Sequence, residues 1–287
     1  MKIYSLIALL LVITGCKSTS KLDHSFFIAG HTYGNPQEKG ETKGLYPPFK
    51  EKIPYINEQQ DLDMGFLLGD VVWLPKAWPE AEQDIAKFKM PIHQVRGNHD
   101  GKIDFYKEKF GDTYKKFTHK NNLYIILDSN LAGWNISGEQ LVFLMNTLRN
   151  DGKKANNIFV FVHHLLWHSK EKFPHPIPNS TYGSAPKINF WTRIEPLLQA
   201  QEKPVFLFAG DMGAFSKEFR KQKGIIEYFY HERGNLTFIG TGMGGGKRDN
   251  FVIVDVSKDQ TVDFRLIHLN GDNIDGLGKL KDYRIEN

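Results

Sequence analysis

The chain has 287 residues, 40% of them apolar and 24% charged, so it can bury a full core in one large domain or two. Its net charge of +4 is small for this length, and Lys and Arg are scattered among acidic residues, so no specific nucleic-acid binding is predicted. The only Cys is Cys16, which excludes disulfides and thiol catalysis in the globular part.

Residues 1–16 have the pattern of a targeting segment. Lys2 is followed by an apolar stretch, residues 3–13, that is too short to span a bilayer as a mature helix. Ile13-Thr14-Gly15-Cys16 closes this stretch and resembles the lipobox of bacterial lipoproteins, in which the Cys is lipidated. The alternative is an ordinary signal peptide with an incidental Cys.

These features predict three segments: a signal peptide over residues 1–15, lipidated Cys16 with a polar tether over residues 16–24, and a single domain over residues 25–287. One lipidated residue would anchor the protein to a membrane of the bacterial cell envelope. By resemblance to the lipoprotein sorting rule, Lys17 in place of an Asp after the Cys favours the outer membrane.

Five short apolar runs in the rest of the chain each end in a residue that can bind a metal or a proton. The ends are His31, Asp70, residues 97–100 (Gly-Asn-His-Asp), residues 163–164 (His-His) and Asp211. Such runs predict buried strands, and sites in open α/β sheets form just beyond the carboxyl ends of strands. Oxygen and nitrogen donors without thiolate suit Mn, Fe, Zn or Mg, so the sequence predicts a divalent metal site.

Residues 97–100 carry the most specific chemistry. Asn98 can bind a metal through its amide oxygen, His99 can protonate a leaving group, and Asp100 can hold the His99 ring in one orientation. Gly97 lets the backbone turn sharply at the end of the strand. The structural alternative is that His99 is a buried histidine with satisfied hydrogen bonds.

The remaining pattern alternates helix-like and strand-like stretches. Ser137 with Gln140 resembles a capping box before a helix, and residues 187–201 predict a second helix that Pro196 breaks or kinks. The last part of the chain predicts strands over residues 225–230, 236–240, 251–256 and 262–269. The expected outcome is two packed sheets with helices outside.

The order of these motifs resembles the calcineurin-like metallophosphoesterase family, which is marked by Asp-x-His, Gly-Asp, Gly-Asn-His-Asp/Glu, a single His and Gly-His-x-His. The resemblance runs from about Phe26 to about Leu269. It implies an α/β fold, a four-layer α/β/β/α sandwich with two mixed sheets. It also implies hydrolysis of phosphate mono- or diesters, with a metal-activated water as the nucleophile and His99 as the general acid.

The resemblance implies one complete metal position. Asp70, Asn98 and His163 match ligands of the family's second metal, and Asp211 stands where the family has a His. A carboxylate there favours harder ions such as Mn²⁺, Mg²⁺ or Ca²⁺ over Zn²⁺.

The other metal position is impaired. His31 and the bridging Asp70 match the family, but Ala29 and Gly213 replace two further ligands and cannot bind a metal through side chains. We therefore expect one tight metal and a second that is weak or absent. A lipid-anchored binding or assembly protein that kept the fold and lost activity is the alternative function.

Two further points stay open at the level of sequence. Adjacent residues on a strand face opposite ways, so only one of His163 and His164 is expected to bind the metal; the family pattern matches His163, and His164 would line the pocket or bind phosphate. The sequence indicates neither the substrate nor the oligomeric state.

Four tryptophans fit packing or cleft walls better than a cofactor site: Trp73, Trp78, Trp134 and Trp167.

Overall fold

A computed structural model of the chain describes residues 22–34, 44–169, 178–180, 188–212, 228–244 and 249–269. Strands in these ranges form two sheets. The first sheet contains β1 (Leu22–Ala29), β2 (Leu62–Leu67), β3 (Ile92–Gln94), β10 (Asn250–Ser257) and β11 (Val262–His268). The second contains β4 (Lys115–His119), β5 (Asn122–Ile126), β6 (Ile158–Val162), β7 (Val205–Met212), β8 (Tyr228–Arg233) and β9 (Leu236–Gly242).

Both sheets are mixed. The first has the order β11-β10-β1-β2-β3, in which β1, β2 and β3 are parallel and β10 is antiparallel to its neighbours. The second has the order β4-β5-β6-β7-β9-β8, with a parallel centre from β5 to β9 and antiparallel strands at both edges. Because the central strands are parallel, their carboxyl ends gather at one edge of each sheet.

Short helices connect the strands. They are α1 (Pro47–Lys50), α2 (Ile53–Glu58), α3 (Trp78–Ile85), α4 (Ile103–Phe110), α5 (Gly138–Asn150) and α6 (Glu195–Gln199), with single turns at Pro75–Ala77 and Gly152–Lys154 and a π-helix at Phe190–Ile194. Within the described part of the chain, no helix has the length and apolar character needed to cross a membrane.

The layers follow from how side chains alternate along the strands. Phe66 of β2 and Phe161 of β6 stack between the two sheets, with ring centroids 3.9 Å apart. Their neighbours on the same strands face outward: Leu67 packs with residues of α1 to α3, and Val160 packs with residues of α5 and α6. The expected four-layer α/β/β/α sandwich is therefore confirmed.

The N-terminal boundary of the domain differs from the sequence expectation. β1 begins at Leu22, so residues 22–24, expected in the tether, belong to the first sheet. His24 explains this, because it is fully buried and its Nε2 lies 2.6 Å from the hydroxyl of Tyr124 in the second sheet. Cys16, the signal segment and Gly213 lie outside the described residues.

The predicted capping box is wrong. Ser137 precedes α5 but makes no side-chain capping bond, and Gln140 turns its amide to the backbone of Asp128. In the region predicted to be a helix that Pro196 breaks or kinks, residues 187–201, the π-helix ends at Ile194 and α6 begins at Glu195 with Pro196 in its first turn, so a break at this place is confirmed. Pro is tolerated there because the first helical N–H groups have no intrahelical partner.

The backbones of the two sheets approach each other closely at Gly30 and Gly210. A Cβ atom on Gly30, just after β1, would overlap the backbone of Gly210 in β7, and one on Gly210 would overlap Leu68 after β2. Glycine is therefore required at both positions. This contact brings the carboxyl ends of the two parallel strand sets together.

Candidate metal centre

The first two predicted ligands follow β1 and β2 in strained backbone. His31 has φ 55° and Asp70 has φ 53°, both in the left-handed region that residues with a Cβ rarely adopt. Strain of this kind is found where the surrounding structure holds a residue in place for function. Both side chains are buried, and His31 Nε2 lies 3.8 Å from Asp70 Oδ2.

Three acceptor atoms converge at this site: Asp70 Oδ1, Asn98 Oδ1 and His163 Nε2. His163 Nε2 lies 3.4 Å from Asp70 Oδ1 and 3.2 Å from Asn98 Oδ1. The other ring nitrogen of His163 lies 2.9 Å from the carbonyl of Leu68, and a carbonyl can only accept, so Nδ1 carries the ring proton. In the neutral ring, Nε2 therefore presents a lone pair to two oxygen atoms.

Asp211 reaches the same region from β7. Its backbone N–H donates to the carbonyl of His163, and its Oδ2 accepts from the N–H of Ser180 at 3.0 Å. Its Oδ1 is buried without a hydrogen-bond partner. A carboxylate oxygen of Asp211 lies within 4.8 Å of ligand atoms of His31 and Asp70, and likewise of those of His163 and His164.

This donor set fits a divalent cation. Donor atoms on one ion at about 2.1 Å lie roughly 3 Å apart, close to the separations around His163 Nε2. The set contains two carboxylates, an amide oxygen and imidazole nitrogens, and the orphaned Oδ1 of Asp211 lacks the counter-charge that burial demands.

The shifted pKa values at this site come from burial and from the charges of the neighbouring carboxylates. Burial, with the charge of Asp70 added, raises the pKa of Asp211 to about 7. Burial opposes charging of His163, but the carboxylates of Asp70 and Asp211 prevail and raise its pKa. Burial lowers the pKa of His31 to about 4, so this ring is neutral at pH 7. The raised pKa values of Asp211 and His163 therefore both reflect carboxylates gathered in a buried site.

Asp100 has a different contact from the one expected. Its carboxylate accepts hydrogen bonds from the backbone N–H groups of Asp70, Val71, Val72 and Gly97, at 2.7 to 3.2 Å. These bonds tie the loop after β2 to the loop after β3. Burial and the charge of Asp70 raise the pKa of Asp100 to about 7. The expectation that Asp100 holds the His99 ring is wrong in this structure.

Trp73 holds that ring instead. The carbonyl of Trp73 lies 3.0 Å from His99 Nδ1, and the indole stacks on the imidazole with centroids 4.3 Å apart. Tyr33 meets the His99 ring edge-on at 5.5 Å. His99 is only partly buried, and its backbone N–H donates to Asp70 Oδ1 at 3.0 Å. Its Nε2 is therefore the ring atom available for proton transfer.

The alternation argument for His163 and His164 fails because β6 ends at Val162, so the strand period does not apply. Both imidazoles are buried, and each brings a nitrogen near Asp211. His164 Nδ1 lies 2.7 Å from the hydroxyl of Ser129, and the ring stacks on Trp134 at 4.2 Å. Burial and the adjacent His163 lower the pKa of His164 well below its usual value.

Comparison with known families agrees with this geometry. The model of the calcineurin-like phosphoesterase family matches residues 24–209. The chain belongs to the calcineurin-like phosphoesterase family. The match runs from within β1 to within β7 and includes His31, Asp70, residues 97–100 and residues 163–164. No curated protein sequence matches the chain significantly.

One solved structure shares the fold of this chain. The purple acid phosphatase PPD1 from yellow lupin (Lupinus luteus) seeds has a TM-score of 0.57 and 14% identity, covering 85% of this chain and 51% of that one. The chain thus spans about half the length of that phosphatase. Vps29 from Entamoeba histolytica, solved as a single mutant and in complex with zinc, matches with a TM-score of 0.37 and 9% identity, covering 86% of this chain and 99% of that one. These likenesses concern the fold alone, and the Vps29 match is too weak to support an argument.

Proposed function

We propose that the protein is a metal-dependent hydrolase of phosphate mono- or diesters in which His99 is the general acid. The observation that carries this proposal is the convergence of Asp70 Oδ1 and Asn98 Oδ1 on His163 Nε2, each within 3.4 Å of that nitrogen, with the backbone N–H of His99 donating to Asp70 Oδ1. Membership of the calcineurin-like phosphoesterase family supports it.

Four side chains would hold the metal: Asp70, Asn98, His163 and Asp211. A divalent cation bound there supplies Lewis acidity and lowers the pKa of water toward neutrality. The protein's part is to fix these donors on two rigid sheets and to leave one side open. Asn98, which is exposed, marks that open side.

His99 would pass its proton from Nε2 to the leaving alkoxide. Its Nδ1 is held by the Trp73 carbonyl, and the stacked indole prevents the ring from rotating. General acid catalysis requires this fixed orientation and is worth about 10² to 10⁴ in rate. His164, buried close to Asp211, is our candidate for a contact with the phosphate group.

A leaving-group comparison tests the proposal. We would purify the full chain in detergent, remove metals with a chelator, reload with Mn²⁺, and assay an activated aryl phosphodiester and an alkyl phosphodiester. Because only the poor leaving group needs a proton, His99→Ala should lower kcat on the alkyl ester about 10² to 10⁴-fold and spare the aryl ester. His119→Ala is the matched control, since His119 ends β4 at the opposite end of the sheet.

The other outcomes are equally informative. Equal loss on both esters in His99→Ala would make His99 a structural residue and refute its role as the acid. A protein that binds metal but cleaves neither ester would favour the alternative, a lipid-anchored binding or assembly protein on this fold. We also propose that Cys16 carries the lipid anchor, with the domain outside the cytoplasm at the outer membrane.

A further inference from the structure

Asn179 lies against the metal centre, although no sequence motif contains it. Its side-chain amide nitrogen is 2.7 Å from His31 Nε2. Its backbone N–H donates to the carbonyl of Asp211 at 2.9 Å, and the next residue, Ser180, donates its N–H to Asp211 Oδ2 at 3.0 Å. The segment is therefore fixed to one predicted ligand through its backbone and to another through its side chain.

The direction of the bond between Asn179 and His31 follows from the other side of the ring. His31 Nδ1 lies 2.8 Å from the carbonyl of Met243, which can only accept, so Nδ1 carries the proton. Nε2 of the neutral ring is then an acceptor, and the amide must turn its NH₂ group toward it. An amide oxygen at the same distance would place two lone pairs against each other.

This bond uses the lone pair that a metal would need. At the impaired metal position, His31 and Asp70 are the remaining matched ligands, Ala29 offers no side-chain donor, and a carboxylate oxygen of Asp211 lies within 4.8 Å of both. The amide N–H of Asn179 donates a hydrogen bond to His31 Nε2. A metal at this position would instead bind this nitrogen with its positive charge. An ion entering here would have to break the bond to Asn179 and share Asp70 with the ion at the complete position.

We propose that Asn179 closes this metal position by donating its amide N–H to His31 Nε2, so that the centre holds a single ion on the other ligand set. The proposal rests on the metal centre of the proposed function. It identifies Asn179 as the residue that sets metal stoichiometry, and it predicts that this stoichiometry can be changed at one side chain.

Metal titration of the full chain tests this without any assay of activity. The wild-type protein, stripped and titrated with Mn²⁺ by calorimetry and elemental analysis, should bind one ion. Asn179→Asp replaces the donor with an acceptor and should bind a second ion at least about tenfold more tightly than the wild type does. Asn146→Asp makes the same chemical change on the exposed surface of α5 and should leave one ion.

Two further variants protect the test. Asn179→Ala removes the donor without adding charge. If Asn179→Asp does not fold, Asn179→Ala should still bind a second ion more tightly than the wild type does. His31→Ala should leave the single ion of the wild type in place but abolish the second ion when it is combined with Asn179→Asp. Circular dichroism of each variant checks the fold.

Three outcomes would overturn the proposal. Two tight ions in the wild type, one of them lost in His31→Ala, would mean that Asn179 does not close the position. An unchanged single ion in folded Asn179→Asp and Asn179→Ala would mean that the amide has no influence. No ion at all in the wild type would refute the metal centre itself and with it the proposed function. The first two outcomes would refute only the role of Asn179, so the two failures can be told apart.

Discussion

Gly97→Ala should damage the metal centre through a single methyl group. A Cβ atom on Gly97 would lie 2.2 Å from Oδ1 of Asp70 and 2.1 Å from its backbone nitrogen, whereas ordinary contact begins at 3.4 Å. The carboxylate must therefore move by about 1 Å, because the interior has no space to absorb the methyl group. Asp70 is the residue that every proposed ligand arrangement shares.

The expected loss of metal affinity follows from this displacement of the Asp70 carboxylate. Loss of the contacts that orient a metal ligand costs about 10- to 100-fold in metal affinity, which corresponds to about 1.4 to 2.7 kcal/mol. We expect metal affinity to fall by about this factor. Overpacking should lower the free energy of unfolding of the metal-free protein by a further 1 to 3 kcal/mol, roughly. Competition with a chromogenic chelator measures the first quantity and urea unfolding in excess chelator the second.

Gly133→Ala separates backbone strain from the clash. Gly133 has φ 56° with no atom within 4 Å of an added Cβ, so this variant should cost about 1 to 2 kcal/mol of stability and leave the metal dissociation constant unchanged. If Gly97→Ala bound metal as tightly as Gly133→Ala does, Asp70 would not be a ligand held by this contact, and the reasoning would be refuted.

Three other predictions concern charge and anchoring. Burial holds the pKa values of Asp100 and Asp211 at about 7 against 3.8 in the unfolded chain, so the folded protein keeps protons that the unfolded chain releases. The contribution of these two carboxyls to the stability of the metal-free protein should therefore fall as the pH rises from about 4 to 7, whereas the lowered pKa of His31 contributes in the opposite direction. Because the carboxyls must lose their protons to bind a metal, Mn²⁺ should raise Tm more at pH 8 than at pH 5; an equal rise would contradict this. Asp211→His should shift preference from Mn²⁺ toward Zn²⁺ in competition titrations, whereas unchanged selectivity would argue that Asp211 is not a ligand. Cys16→Ser should move the protein from the membrane to the soluble fraction after cell lysis, and a variant that stays in the membrane would disprove the lipobox assignment.

Much of the centre was predictable because its residues follow apolar runs. A run such as residues 158–162 predicts a buried strand, and the parallel order of such strands brings their carboxyl ends to one edge. The residues just after those ends, including Asp70 and His163, were therefore expected to meet. Two packed sheets and the approximate place of the site follow from this periodicity, whereas the four-layer α/β/β/α arrangement was implied by the resemblance to the family.

The remaining contacts depend on tertiary structure. Asp100 serves the loop after β2 because the N–H groups of Val71 and Val72 point at it, and nothing in residues 97–100 encodes that. Asn179 comes from a stretch without strand or helix periodicity, so no pattern signals its contact with His31. From the sequence, Trp73 was expected only to pack in the core or to form a cleft wall. Its contact with His99 uses the backbone carbonyl, which every residue type has, so the side-chain type could not predict it.

The backbone contact between Gly30 and Gly210 makes the metal centre a reporter of folding. His31, Asp70 and Asn98 follow strands of the first sheet, whereas His163 and Asp211 belong to the second. A folding intermediate with only one sheet formed therefore has an incomplete set of donors. The ion should bind only after the sheets dock and should then act as a cross-link between them, so refolding followed by metal uptake would time the docking step.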